Sequence, residues 1–168
     1  MKLFVLNIIL CFGLPFLTYS QKNNKTKINS IEGFLFYNQV RNGEDPENNL
    51  SENIIDNNEF LLFNVIIGEG RAKGTSRNTL IIVEIMSDPS ESRADGYIRL
   101  KATNDDNKLM LNQTQYYSIF EGDHKFKAPF LVNGTGCAGI TLKAELLDNS
   151  KTKIISSMKK FILFECGE

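Results

Sequence analysis

The sequence predicts an all-β domain, an antiparallel immunoglobulin-like β-sandwich of eight or nine strands. Three observations carry that expectation. Apolar residues recur with period two, short apolar runs return at roughly 8–12-residue intervals between Gly, Asn and Asp clusters, and no stretch shows helical periodicity. A closed barrel is the alternative way to dispose of the same strands. No fixed-period repeat is present, which removes solenoids, propellers and repeat-built amyloid subunits.

The first twenty residues read as an export signal. Lys2 is a minimal basic start, Leu3 to Leu17 are almost all apolar, and Thr18-Tyr19-Ser20 places small residues at −3 and −1 of a cleavage site before Gln21. The apolar run is shorter than the roughly 18–20 residues that cross a bilayer, and no later stretch is longer, so no membrane insertion is expected. Cys11 lies inside this run without the small residues that precede a lipidated cysteine. The expected organisation is a signal peptide over 1–20, a polar N-terminal segment with one strand over 21–58, and a sandwich core over 59–168, together one domain. The expected compartment is periplasmic or secreted.

After a polar start, Ile31 to Gln39 reads as a strand, followed by a loop from Arg41 to Asn58 rich in Asn, Glu, Asp and Gly. Phe60 to Ile67 is a nearly continuous apolar run, as in a strand buried on both faces. Gly68-Glu69-Gly70 and Gly74 break the chain before a strand from Thr79 to Met86. Past Asp88-Pro89-Ser90, Gly96 to Thr103 alternates, with Ile98, Leu100 and Ala102 on one face and Tyr97, Arg99 and Lys101 on the other. Further strands are expected at Lys108–Leu111, Tyr116–Glu121, Lys125–Val132, Ala138–Leu147 and Ile154–Glu165, parted by Asn104-Asp105-Asp106-Asn107, Gly122-Asp123, Gly134-Thr135-Gly136 and Asp148-Asn149-Ser150. From Ala138, the residues Ile140, Leu142, Ala144 and Leu146 oppose Thr141, Lys143 and Glu145.

Composition narrows function mainly by exclusion. Of the 168 residues 42% are hydrophobic and 23% charged, and the formal net charge of −1 leaves no excess to neutralise a phosphate backbone, so no nucleic-acid partner is expected. The single histidine, His124, excludes a multi-histidine metal site. Charge is nonetheless uneven: residues 21–95 hold eight basic and twelve acidic side chains, residues 96–168 ten and eight. Tyr97, Arg99, Lys101, Lys125, Lys127 and Lys143, with Lys159 and Lys160, fall mostly at outward strand positions and form the candidate partner-binding face. The competing reading is that lysines decorate strands to keep sheet edges from pairing.

The chemical candidates are thin. His124 stands beside Asp123 and near Glu121, but neighbouring residues of one strand or turn do not converge on a substrate. Asn104–Asn107 and Asp56–Glu59 carry oxygen ligands without calcium-loop spacing, and Gly68 to Gly74 matches no phosphate-binding fingerprint. Ser118 and Ser157 lack any elbow sequence, and no cofactor is expected. Paired carboxylates for glycoside hydrolysis stay open at this level. The lack of Trp weakens a carbohydrate platform, for which Tyr37, Tyr97, Tyr116 and Tyr117 could substitute. Asn-x-Ser/Thr triplets begin at Asn24, Asn49, Asn112 and Asn133. In an oxidising compartment Cys137 and Cys166 most simply form one disulfide, closing a loop of about thirty residues and contributing on the order of 3–4 kcal/mol; two free buried thiols are the alternative.

One resemblance reaches beyond fold class. Ala94-Asp95-Gly96-Tyr97-Ile98-Arg99-Leu100-Lys101, then Asn112-Gln113-Thr114-Gln115, then Glu121-Gly122-Asp123, then Ala138 to Leu147, resembles the small immunoglobulin-like β-sandwich chaperones of the curli amyloid assembly system. It covers about a third of the chain. The long segment 21–58 departs from that family, and the cysteines do not clearly match theirs. The resemblance implies a non-enzymatic protein that engages an amyloid-fibre subunit or secretion component and blocks its growth into cross-β. A cell-surface or glycan-binding module is the alternative, and a small hydrolase comes third.

Overall fold

The computed structural model describes residues 26–37, 50–55, 76–90, 92–135 and 138–164. Seven strands appear among them: β1 Lys27–Tyr37, β2 Ser76–Met86, β3 Arg93–Asn104, β4 Leu109–Phe120, β5 Lys125–Asn133, β6 Ile140–Leu147 and β7 Ile154–Ile162. They form two antiparallel sheets, one ordered β1-β2-β5 and the other β4-β3-β6-β7. That is the β-sandwich expected, with immunoglobulin-like strand order in which β3 and β6 are the central pair of the larger sheet.

The strand count departs from the expected eight or nine for a physical reason. Lys108–Leu111 and Tyr116–Glu121 are not two strands but the ends of one, β4, which runs unbroken through the polar stretch Asn112-Gln113-Thr114-Gln115. The alternation left those four residues between two expected strands, yet each pairs with β3, Gln113 with Leu100 and Gln115 with Ile98. Backbone pairing needs no apolar side chains at a sheet edge. The expected strand Phe60–Ile67, the glycine segment Gly68 to Gly74, the signal residues and both cysteines, Cys137 and Cys166, lie outside the described residues.

Alternation builds the core. Ile81, Val83 and Ile85 of β2, with Ala128, Phe130 and Val132 of β5, meet Ile98, Leu100 and Ala102 of β3 and Leu142, Ala144 and Leu146 of β6, all essentially buried. Each fully buried Ile, Leu or Phe contributes about 1.5–3 kcal/mol, so these two inward rows dominate the fold's stability. Strand β1 belongs to the same core, since Ile31 and Leu35 are buried and Gly33 pairs with Ile81. The segment 50–55 covers the outer edge of β1. Ser51 Oγ accepts from Leu35 N (2.8 Å), Asn53 Oδ1 accepts from Gly33 N (2.9 Å), and Ile54 N donates to Gly33 O (2.8 Å).

The turns place the outer faces. The chain passes from β4 to β5, and so from one sheet to the other, through Glu121–His124, where Gly122 takes φ +92° at no steric cost. Gln115 Nε2 donates to Pro129 O (2.7 Å) across that corner. Gly96 sits between Ala94 and Ile98 in the inward row of β3, where nothing larger fits: a Cβ there would stand 2.7 Å from Leu147 O. This close approach lets β3 and β6 pair directly behind Tyr97.

Candidate functional site

The outer face of the four-stranded sheet follows from register alone. Side chains on one face alternate with the core, and neighbouring strands lie roughly 4.8 Å apart, so outward residues form rows across the strands. One row reads Asn112, Lys101, Lys143, Lys159 on β4, β3, β6 and β7. The next reads Thr114, Arg99, Glu145, Ser157, and the one beyond it Tyr116, Tyr97, Leu147. Four of the six residues expected to form a partner-binding face, Tyr97, Arg99, Lys101 and Lys143, therefore meet on one surface.

Its electrostatic centre is Glu145, whose side chain is only 2% exposed. Glu145 Oε2 accepts from Arg99 Nε (2.8 Å) and Nη2 (2.6 Å), while Oε1 lies 2.6 Å from Lys143 Nζ. Burial pushes its pKa up, but hydrogen bonds from Lys143 and Arg99, with their positive charge, outweigh burial and hold it below the ordinary glutamate value. One carboxylate thus answers two cations. The side chains of Lys101 and Lys159, flanking Lys143 in the lysine row, have no hydrogen bond or ion pair among the described residues. Like charges directly opposite each other oppose pairing, so this row is maintained against a small cost.

An aromatic end adjoins the lysines. Tyr97 and Tyr116 meet edge to face, ring centroids 5.5 Å apart at 68°. Arg93 Nη2 donates to Tyr116 Oη (3.2 Å), and its guanidinium lies 5.7 Å from the centroid of Phe120. That hydrogen bond, with the nearby Asp95 carboxylate, raises the Arg93 pKa and keeps it charged. Lys151, from the β6–β7 turn, holds Nζ 4.1 Å from the Tyr97 ring centroid. Tyr116 and Phe120 are about half exposed.

The other two expected residues lie elsewhere. Lys125 and Lys127 are on β5, facing outward from the three-stranded sheet on the opposite side of the sandwich. There Glu84 accepts from Asn29 Nδ2 (2.6 Å) and lies 3.2 Å from Lys125 and 4.0 Å from Lys127, while Glu32 lies 3.9 Å from Lys127. Burial again raises the Glu84 pKa and is again outweighed, here by Lys125, Asn29 and Lys127, so it is lowered. Two carboxylates answer these two lysines, and Lys27, opposite Met86 in the row of Lys125, adds one further cation to this face. Toward its other end this face is apolar, with Phe34, Leu80 and Leu131 in one row.

The remaining candidates do not assemble into a catalytic centre. His124 is exposed in the β4–β5 turn and gives its carbonyl to Ser87 N (3.0 Å). Asp105 Oδ2 accepts from Gly139 N (2.8 Å), tying the β3–β4 turn to the start of β6. No group of three His, Cys, Asp or Glu side chains gathers in ligating geometry among the described residues. Among the described residues Ser118 Oγ has no hydrogen-bond partner and no base set against it. Sequence reasoning missed Arg93, Tyr116, Phe120 and Lys151 as members of this face. The first three share the parity of Tyr97 across the β3–β4 pairing and were legible given the register; Lys151 arrives from a turn and was not.

No protein-family model and no curated protein matches the chain. Among solved structures it is similar to parts of glycoside hydrolases. A β-glucuronidase from Bifidobacterium dentium matches at 14% identity and TM-score 0.45, over 84% of this chain and 18% of that one. A family 2 glycoside hydrolase from Bacteroides cellulosilyticus matches at 9% and 0.42, over 51% and 12%. This chain spans less than a fifth of the length of those enzymes, and at these values the likeness carries nothing about activity. No helix among the described residues is long and apolar enough to cross a membrane.

Proposed function

We propose that this chain is a non-enzymatic, exported binding module whose docking surface is the outer face of the four-stranded sheet, and that its partner is a protein. One observation carries the reading. Lys101 and Lys143 stand on β3 and β6, the two central strands, where there is no edge to protect. Edge protection explains Lys125 and Lys127 on β5 and Lys159 on β7, but not Lys101, which has no ion pair among the described residues and stands beside the Glu145-paired Lys143 in the lysine row across the middle of a sheet. Tyr and Arg beside that row are the residue types that anchor protein interfaces.

The resemblance to curli-assembly chaperones supplies the proposed role, an assembly factor that engages a fibre subunit and delays its conversion to cross-β. The test is the aggregation lag of a curli-type subunit, followed by dye fluorescence, with substoichiometric amounts of the processed chain purified from a periplasm. A longer lag with the unmodified protein, lost in the double variant Lys101→Glu, Lys159→Glu, supports the assignment. That variant leaves Glu145 and its two partners intact. An unchanged lag at equimolar protein overturns the role, and a lag extended equally by the variant overturns the face.

A further inference from the structure

We propose that Lys151 is a specificity-determining residue of this face. From a left-handed backbone position it holds its ammonium over the Tyr97 ring, closing that ring to neutral, stacking ligands and presenting charge to an acidic, extended polypeptide segment. The inference rests on the docking reading above and names the chemistry of the partner.

Two hairpin turns of the larger sheet show what is unusual. In the β3–β4 turn Asn107 N donates to Asn104 O (2.9 Å), Asn104 N to Lys108 O (3.1 Å) and Lys108 N to Asn104 Oδ1 (2.8 Å). In the β6–β7 turn Lys151 N donates to Asp148 O (2.9 Å), Asp148 N to Lys153 O (3.1 Å), and Thr152 N and Lys153 N to Asp148 Oδ1 (3.0 and 3.2 Å). Both turns follow the same plan, and in each the fourth residue has positive φ, 59° for Asn107 and 61° for Lys151. Asn tolerates that conformation, whereas Lys is disfavoured there. Lys151 is exposed, so burial in the core does not require it. Its interaction is the one with Tyr97, at 4.1 Å.

The consequence is a choice between partner classes. A sugar platform needs an open, flat ring face. Here one approach to Tyr97 is occupied by an ammonium, and Tyr116 meets it edge-on at 68°. The groups facing this surface from β3, β4, β6, β7 and the turn are Arg93, Arg99, Lys101, Lys143, Lys151 and Lys159, against Asp95 and Glu145. Charge complementarity therefore selects carboxylates, and cations spread over β3, β6 and β7 on one face suit an extended segment.

The experiment titrates an oligo-glutamate peptide and, separately, a neutral cello-oligosaccharide into the processed chain, reading affinity and the NMR shifts of the Tyr97 ring. Lys151→Asn, which accepts the left-handed turn, is expected to weaken peptide binding about fivefold and to make the Tyr97 ring respond to the sugar. Lys151→Arg is expected to restore the peptide affinity, which a purely structural role of the turn would not do. Peptide affinity unchanged in Lys151→Asn but lost in Lys101→Glu, Lys159→Glu overturns the role of Lys151 and leaves the docking face standing. Binding of the sugar but not the peptide by the unmodified protein overturns the acidic-partner assignment, as does binding of neither, whatever the fibre assay shows.

Discussion

The two outward faces of the sandwich are made from the same ingredients and differ in arithmetic. Each surrounds a nearly buried glutamate with basic side chains: Glu145 with Arg99 and Lys143, Glu84 with Lys125 and Lys127. On the three-stranded sheet a second carboxylate, Glu32, answers Lys127 and leaves only Lys27 over. On the four-stranded sheet further cations, Lys101 and Lys159, extend the row instead. Exposed pairs are worth little to stability, so the nearly balanced face reads as solvation of a sheet, while the more strongly cationic face is a field waiting for negative charge.

That contrast can be broken most forcefully through the backbone. Gly96→Ala would drive a Cβ to 2.7 Å from Leu147 O, an atom that cannot swing away, whereas Gly33→Ala on the other sheet meets only side-chain carbons of Ile55 and Ile162 at 3.1–3.3 Å. The expected losses are about 3 kcal/mol for the first and about 1 kcal/mol for the second, read from urea midpoints at constant slope. Equal losses would mean that the β3–β6 approach is no tighter than β1 against its cover.

Next in size are the glutamates. Glu145→Gln strands a half-buried guanidinium beside lysines and is expected to cost about 2 kcal/mol, against about 1 kcal/mol for Glu84→Gln, whose lysines are each 56% exposed. Both carboxylates have folded pKa values below their unfolded ones, so the stability they contribute is complete above the unfolded glutamate pKa of about 4.3 and is lost as pH falls below it through the folded values. Acid melts should be shallower in Glu145→Gln than in the unmodified protein. An identical acid profile would remove Glu145 from the account.

The smallest stability effects belong to the residues assigned to binding. Lys101→Glu with Lys159→Glu should change stability by no more than about 0.5 kcal/mol, in the stabilising direction, because it relieves the like-charge row. Lys151→Asn should move the melting midpoint less still, since relief of the left-handed backbone and loss of the cation–π contact cancel to within about 0.5 kcal/mol. A large destabilisation from either change would assign these side chains to the fold and not to a partner.

Particular residues show where reading the chain succeeds. Ile98, Leu100 and Ala102 announce their face by alternation, and the structure buries all three while Tyr97, Arg99 and Lys101 point outward. The same logic stopped short at Asn112 to Gln115, polar residues left between two expected strands that belong to one edge strand paired with β3 through the backbone. It also grouped Lys125 and Lys127 with Arg99 and Lys143, although the β4–β5 turn carries them to the opposite sheet. Parity along a strand is local; which sheet a strand joins is not.

By itself, then, the sequence determined the β class, most of the strands, the inward and outward parity of each and the tyrosines and cations available to the surface, because period-two burial acts between neighbours in the chain. Tertiary structure alone decided which cations share a face, which glutamate neutralises them, and that Lys151 reaches Tyr97. Those depend on register between strands distant in sequence and on turns that carry the chain across the sandwich, and no local pattern encodes either.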